Sequence, residues 1–159
     1  MREILLRGKS VNDGNWVQGS LVITTIEPAD DAPIKHYHIE DMTIGVFPNE
    51  YQSGLSETVD PNTVGQFTGL TDKNGKKIFE GDILRIAKTA DDFGGYYYPP
   101  LEYPVNVVVR WDFCAWMWET LCEDKRYISF PDAWCKFECE VIGNIHDNPE
   151  LLEGGAVDG

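Results

Sequence analysis

The sequence predicts a mainly β protein, all-β or β-rich α+β, and three observations carry that expectation. Short runs of β-branched and aromatic residues alternate with polar ones, as in 105–111 and 137–142. Turn signals such as Asp13-Gly14 and Asp72-Lys73-Asn74-Gly75 separate these runs. No stretch shows the extended three-to-four residue periodicity of a long amphipathic helix. Short strands with turns between them suit a small barrel or a sandwich, with one or two short helical turns.

The first element is a hairpin over residues 1–26. Ile4 and Leu6 alternate with Leu5 and Arg7, Asp13-Gly14 supplies the turn, and 16–23 forms the return strand. Gly19 inside that strand predicts a bulge or a close approach by another strand. An acidic loop follows between Pro28 and Pro33. A weaker strand covers 34–47, with Ile34, His36 and His38 on one face and Lys35, Tyr37 and Ile39 on the other. Residues 48–61 read as a long connection.

Residues 63–85 form strand, turn and strand, with Val64, Phe67, Ile78, Phe79, Ile83 and Leu84 as the residues to bury. Gly75 suits a positive φ in the turn, and Gly81-Asp82 marks a bend. Residues 87–104 form a surface loop or long hairpin tip, because Gly94-Gly95 and Pro99-Pro100 interrupt regular structure. A strong strand over 105–111 places Val105, Val107, Val109 and Trp111 on one face. It returns at 116–119, so that Trp111 meets Trp116 or Trp118. A helical turn is expected at 131–134. The last strand, 137–145, turns Phe137, Cys139 and Val141 inward, and a short helix starts with Asn148 as cap and Pro149 first. The resulting division is a β-rich region over 1–62, a barrel-like domain over 63–152 and a flexible tail over 153–159.

Composition restricts function. The 159 residues carry a formal net charge of -14, which repels phosphate backbones and disfavours direct nucleic-acid binding. No apolar window is long enough to span a membrane, and the charged N-terminus lacks a secretory h-region, so a cytoplasmic protein without membrane contact is expected. There, Cys114, Cys122, Cys135 and Cys139 are expected as thiols.

Candidate chemistry is sparse. His36 and His38 share a strand face with Glu40 next in phase, which suits a divalent metal ion, against the plainer reading of a solvated strand. Separately, Cys135 and Cys139 could add two soft ligands to Cys114 and Cys122, but they lack paired Cys-x-x-Cys spacing, and Cys139 lies in the inward phase of its strand. A nucleophilic centre of Cys114 or Cys122 with His146 has no identifiable orienting group. Glu80 and Asp82 could be acid–base carboxylates, although an Asp after Gly at a strand start more often binds backbone donors. Gly65 to Gly69 lacks the following helix that a phosphate loop requires. No catalytic constellation emerges, and no cofactor is implied.

The aromatic loop is the remaining candidate. Tyr96, Tyr97, Tyr98 and Tyr103, with Pro99, Pro100 and Pro104, form either a cover over the tryptophans or a binding surface for a protein partner or a second copy.

Three segments then carry a family resemblance. They are Met1-Arg2-Glu3-Ile4 followed by Arg7-Gly8-Lys9 and Gly14-Asn15-Trp16-Val17-Gln18-Gly19-Ser20-Leu21, then 64–72 with Asn74-Gly75-Lys76-Lys77-Ile78-Phe79-Glu80-Gly81-Asp82-Ile83, and Glu140-Val141-Ile142-Gly143-Asn144-Ile145 with Asn148-Pro149-Glu150-Leu151-Leu152. In this order and over nearly the whole chain, they resemble the YopX family of phage and prophage proteins. The resemblance implies a mostly β fold whose C-terminal part is a small SH3-like barrel. It transfers no catalytic or ligand residues, and the tyrosine loop and the Cys135/Cys139 pair lie outside it. The expectation is a phage or prophage accessory protein, more readily a binding domain than an enzyme. The alternatives are an acidic modulator or mimic acting on a basic nucleic-acid-processing factor, and a metal-binding protein.

Overall fold

The computed structural model describes residues 4–28, 32–40, 56–86, 105–112, 115–120, 127–129 and 139–152. These residues are mainly β, as the alternating runs predict, and they divide into two compact units, Met1–Phe67 and Thr68–Gly159.

In the first unit, β1 (Leu6–Lys9), β2 (Trp16–Ile26), β3 (Ile34–Glu40), β4 (Ser56–Thr58) and the start of β5 (Gly65–Thr71) lie in the order β4-β3-β2-β1-β5. The opening hairpin forms with Leu6 opposite Gly19 and Lys9 opposite Trp16. Its faces differ in detail from the alternation. Ile4 is 74% exposed, whereas Arg7 is buried with its guanidinium 4.6 Å from the Trp16 ring centroid. A cation over an indole face can be shielded from water at low cost, which a simple apolar pattern does not anticipate. Gly19 is a close approach: a Cβ there would run into the carbonyl oxygen of Glu40 on β3.

The strands of this unit are not paired along their whole length. β1 reaches β2 only as far as Gly19, and β4 reaches β3 only from His38 to Glu40. From Leu21 to Ile26, β2 therefore has β3 alone as its strand neighbour among the described residues. A short 3-10 turn at Pro61–Thr63, not anticipated from the sequence, starts where the Asp60 side chain accepts the Asn62 amide and Pro61 takes the first helical position.

In the second unit, the later part of β5 neighbours β6 (Lys77–Phe79). A five-stranded sheet runs β10-β9-β8-β7-β11, from β7 (Asp82–Ile86), β8 (Val105–Asp112), β9 (Ala115–Thr120), β10 (Tyr127–Ser129) and β11 (Cys139–Asn144). Its core joins Ile78, Leu84, Ile86, Val107, Val109, Trp116, Cys139 and Val141, with Leu70 packed against them. Removing each such large apolar side chain from water contributes about 1.5–3 kcal/mol. Val107 and Val109 of the expected β8 face and Cys139 and Val141 of the expected β11 face are buried, whereas Trp111, in phase with the β8 pair, is half exposed and Phe137 lies outside the described residues. Val108, on the opposite face, is equally buried, so β8 is covered on both sides at its centre. Within the described pairings the sheet is open, with β10 and β11 at its ends, and the end-to-end closure of an SH3-like barrel is not among them. A register shift between Val141 and Gly143 bends β11 where it pairs with β7. A second 3-10 turn, Pro149–Leu152, follows Asn148.

Candidate functional site

Four polar residues of the family-like segments, Asp72, Asp82, Asn144 and Asn148, hold backbone. Asp72 is buried at 3% exposure, and its carboxylate accepts three amide protons: Oδ1 from Asn74 (2.8 Å) and Lys76 (2.9 Å), Oδ2 from Val141 (3.0 Å). The Lys73 amide adds a bond to the Cys139 carbonyl at 3.1 Å. One side chain thereby shapes the 72–76 turn and ties it to β11, which lies 69 residues away in sequence. Asp82, 1% exposed, accepts the Phe79 amide at 2.8 Å. Gly81 between them has φ +81, which only glycine adopts without strain. Its N–H donates to the Val109 carbonyl and its own carbonyl accepts from Ile145.

Asn144 Oδ1 accepts the amides of His146 and Asp147, and Asn148 Oδ1 accepts that of Asn144 at 3.3 Å. The Asn148 side chain thus bonds backward to Asn144. Asn148's backbone carbonyl, in turn, accepts the Leu151 amide of the 3-10 turn. Buried donors satisfied by carboxylate or amide oxygens account for these residues as scaffold. The reading of Asp82 as a backbone-binding carboxylate is met. Glu80 is half-buried on the bend beside it.

His36 and His38 do share a face of β3. Their rings stack with centroids 6.1 Å apart, and His38 Nδ1 lies 3.2 Å from the Thr58 hydroxyl. Among the described residues, no third His, Cys, Asp or Glu completes a cluster able to hold a metal ion. Cys139 sits in the core of the second unit at 1% exposure. Tyr96, Tyr97, Tyr98, Tyr103, Cys114, Cys122 and Cys135 lie outside the described residues, as does the helical turn expected at 131–134.

Two apolar features of the surface stand out. Trp111, opposite Trp116 on the β8–β9 pair, is 51% exposed and meets that buried ring edge-to-face at 4.9 Å. On the β2–β3 pair, Ile26 and its cross-strand partner Ile34 are 54% and 51% exposed, and Ile23 on the other face is 52% exposed. Sequence reasoning placed Ile34 on its face correctly, but ended the return strand at Ile23, three residues before Ile26. The β-branched run Ile23-Thr24-Thr25-Ile26 was the signal for the longer strand.

What the fold and these residues define is a two-unit, mainly β protein whose most regular sequence features build turns and strand junctions. The family model for YopX protein matches residues 7–153, and the chain belongs to that family. No curated protein matches it. Among solved structures it is similar to the crystal structure of protein EF1440 from Enterococcus faecalis, at 23% identity and a TM-score of 0.53. That match covers 96% of this chain and 99% of the other. At that identity the likeness speaks to the fold.

Proposed function

We propose that this protein is a non-enzymatic, phage- or prophage-derived accessory protein that works by binding another protein or a second copy of itself, in the cytoplasm of the host cell. The supporting observation is a contrast in how the two residue classes are used. Asp72, Asp82, Asn144 and Asn148 of the family segments accept backbone amides, whereas Ile23, Ile26, Ile34 and Trp111 stand about half exposed. Large apolar side chains left at the surface, such as the cross-strand pair Ile26 and Ile34, mark association sites more often than chemistry. The run Tyr96-Tyr97-Tyr98 with Tyr103 adds a second binding segment on sequence grounds.

Affinity capture from host cells, with the wild-type chain and a variant carrying Ser at all four tyrosines, tests this reading. A discrete protein retained by the wild type and lost by the variant is the expected result. Equal recovery of every species by both chains would overturn the tyrosine assignment. A turnover assay on the purified protein that detects an activity would overturn the non-enzymatic reading itself.

A further inference from the structure

We propose that the Asn74-Gly75 step is a modification site at which the chain converts itself: Asn74 loses its carboxamide nitrogen as ammonia and becomes aspartate or isoaspartate. This stands apart from the binding role proposed above.

The chemistry is a displacement within the backbone. The Gly75 nitrogen gives up its proton and attacks Asn74 Cγ. A nitrogen–carbon bond forms, the Cγ–Nδ2 bond breaks, and ammonia carries the proton away. Water then opens the cyclic imide. Opening at the side-chain carbonyl gives aspartate. Opening at the main-chain carbonyl gives isoaspartate, whose chain runs through the side chain and is one methylene longer.

Asn74 is the one asparagine of the sequence that glycine follows. A side chain on the next residue crowds the attacking nitrogen, and a proline, as after Asn148, has no N–H to give up. Asn74 and Gly75 are both exposed, and the place a Gly75 Cβ would take has nothing within 4 Å beyond its chain neighbours. Among the described residues the Asn74 carboxamide has no hydrogen-bond partner, and its main-chain amide alone is held, by Asp72 Oδ1. Asn144 and Asn148, by contrast, commit their side-chain oxygens to backbone amides.

One bond restrains the step. The Gly75 amide donates to the Asp72 carbonyl at 3.0 Å and must leave it to attack. That takes a flip of a single peptide, which turns ψ of Asn74 and φ of Gly75. Glycine accepts either sign of φ, so from +81 the flip meets no Cβ clash. Asp72 meanwhile still holds the amides of Asn74, Lys76 and Val141, which keeps the ends of the turn in place. Openings of this kind at an exposed turn belong to the low end of a protein's local unfolding energies. Lys76 and Lys77 follow directly, and their charge favours the anionic nitrogen and the oxyanion at Cγ in a chain of net charge -14.

The product acts through what the turn holds. The Asp72 amide donates to the Lys76 carbonyl at 2.9 Å and the Lys76 amide returns to Asp72 Oδ1, so residues 73–75 have a fixed span to cover. An isoaspartate lengthens that span and leaves a new carboxylate near that of Asp72. The strain falls on the two bonds from this turn to β11, Val141 to Asp72 Oδ2 and Lys73 to the Cys139 carbonyl.

The test is to incubate the purified chain at mildly alkaline pH, digest samples over time and read the peptides by mass spectrometry, with electron-transfer fragmentation to separate aspartate from isoaspartate. A parallel sample in urea gives the rate without the turn. Asn74 is expected to convert in the folded chain ahead of every other asparagine, and Asn74→Gln should remove most of the ammonia released. A folded chain that keeps Asn74 while the unfolded one loses it overturns the proposal, because the turn would then protect the step. Survival of Asn74 in both samples, or earlier conversion of another asparagine, overturns it as well. In the isoaspartate fraction the Val141 amide should lose protection against hydrogen exchange, whereas Asn74→Asp, which adds the charge without the methylene, should retain it. Unchanged protection in the isoaspartate fraction, or equal loss in Asn74→Asp, overturns the role given to the lengthened chain.

Discussion

Asp72 does at the residue scale what several side chains do elsewhere in small β-proteins. Its three amide bonds close a turn and tether it to a distant strand, all from a site 3% exposed. Asp72→Asn replaces one acceptor oxygen by a donor that faces backbone N–H groups. It should destabilise the protein by about 2–4 kcal/mol, because hydrogen bonds to charged groups are lost and a buried amide is left unmet. Urea unfolding followed by circular dichroism measures this, and a change below the error of the midpoint would reject the role given to the carboxylate.

Gly19→Ala should cost about 1–3 kcal/mol by overpacking, since the obstacle is the Glu40 backbone, which has no rotamer by which to withdraw. Asp13 differs from both. It is exposed, and its pKa is held below the ordinary aspartate value, chiefly because its carboxylate accepts the Asn15 amide and then the Asn15 side chain. A depressed carboxylate stabilises the folded turn above the unfolded pKa, and that stabilisation fades as the pH falls through the folded pKa. Below that range the protection of the Asn15 amide, taken relative to the intrinsic exchange rate at each pH, should therefore be lower in the wild type than at neutral pH, and Asp13→Asn should remove that change in protection. Amide exchange monitored by NMR is the readout.

At the scale of elements, the β2–β3 ribbon separates what alternation can predict from what it cannot. The faces of β3 follow from a period of two, so the shared face of His36 and His38 was readable from spacing. Whether a third ligand joins them depends on residues distant in sequence, and the described ones bring none. Two imidazoles without a third donor hold zinc weakly. The purified protein is expected to carry no stoichiometric zinc after dialysis against a chelator and return to zinc-containing buffer, as measured by elemental analysis. Retained zinc that disappears in His36→Ala would reverse this. The exposure of Ile26 and Ile34 was not readable, because it arises where β1 and β4 end. Neither strand's length is encoded in the ribbon it leaves uncovered.

For the whole molecule, the net charge of -14 makes a direct statement about partners. Duplex DNA should not bind measurably at physiological salt in fluorescence anisotropy, since association would bring two polyanions together. A tight, salt-sensitive complex would contradict that. Capture of basic nucleic-acid enzymes, released by high salt, would instead favour the acidic-mimic alternative.

The mainly β class, the positions of most described strands and the membership in the YopX family were all legible in the chain. They rest on local properties: alternation, β-branched content, and turn residues whose φ or side-chain oxygens suit one backbone path. The tertiary structure alone decided three other things. Arg7 is buried because Trp16 arrives across a strand pair to receive its charge. Val108 is buried although it lies on the face opposite Val107 and Val109. Asp72 acts on Val141, a donor that no local window contains. The division has one physical cause. Backbone preference is set within a few residues, whereas burial and hydrogen-bond satisfaction are set by whichever distant strand the fold brings alongside.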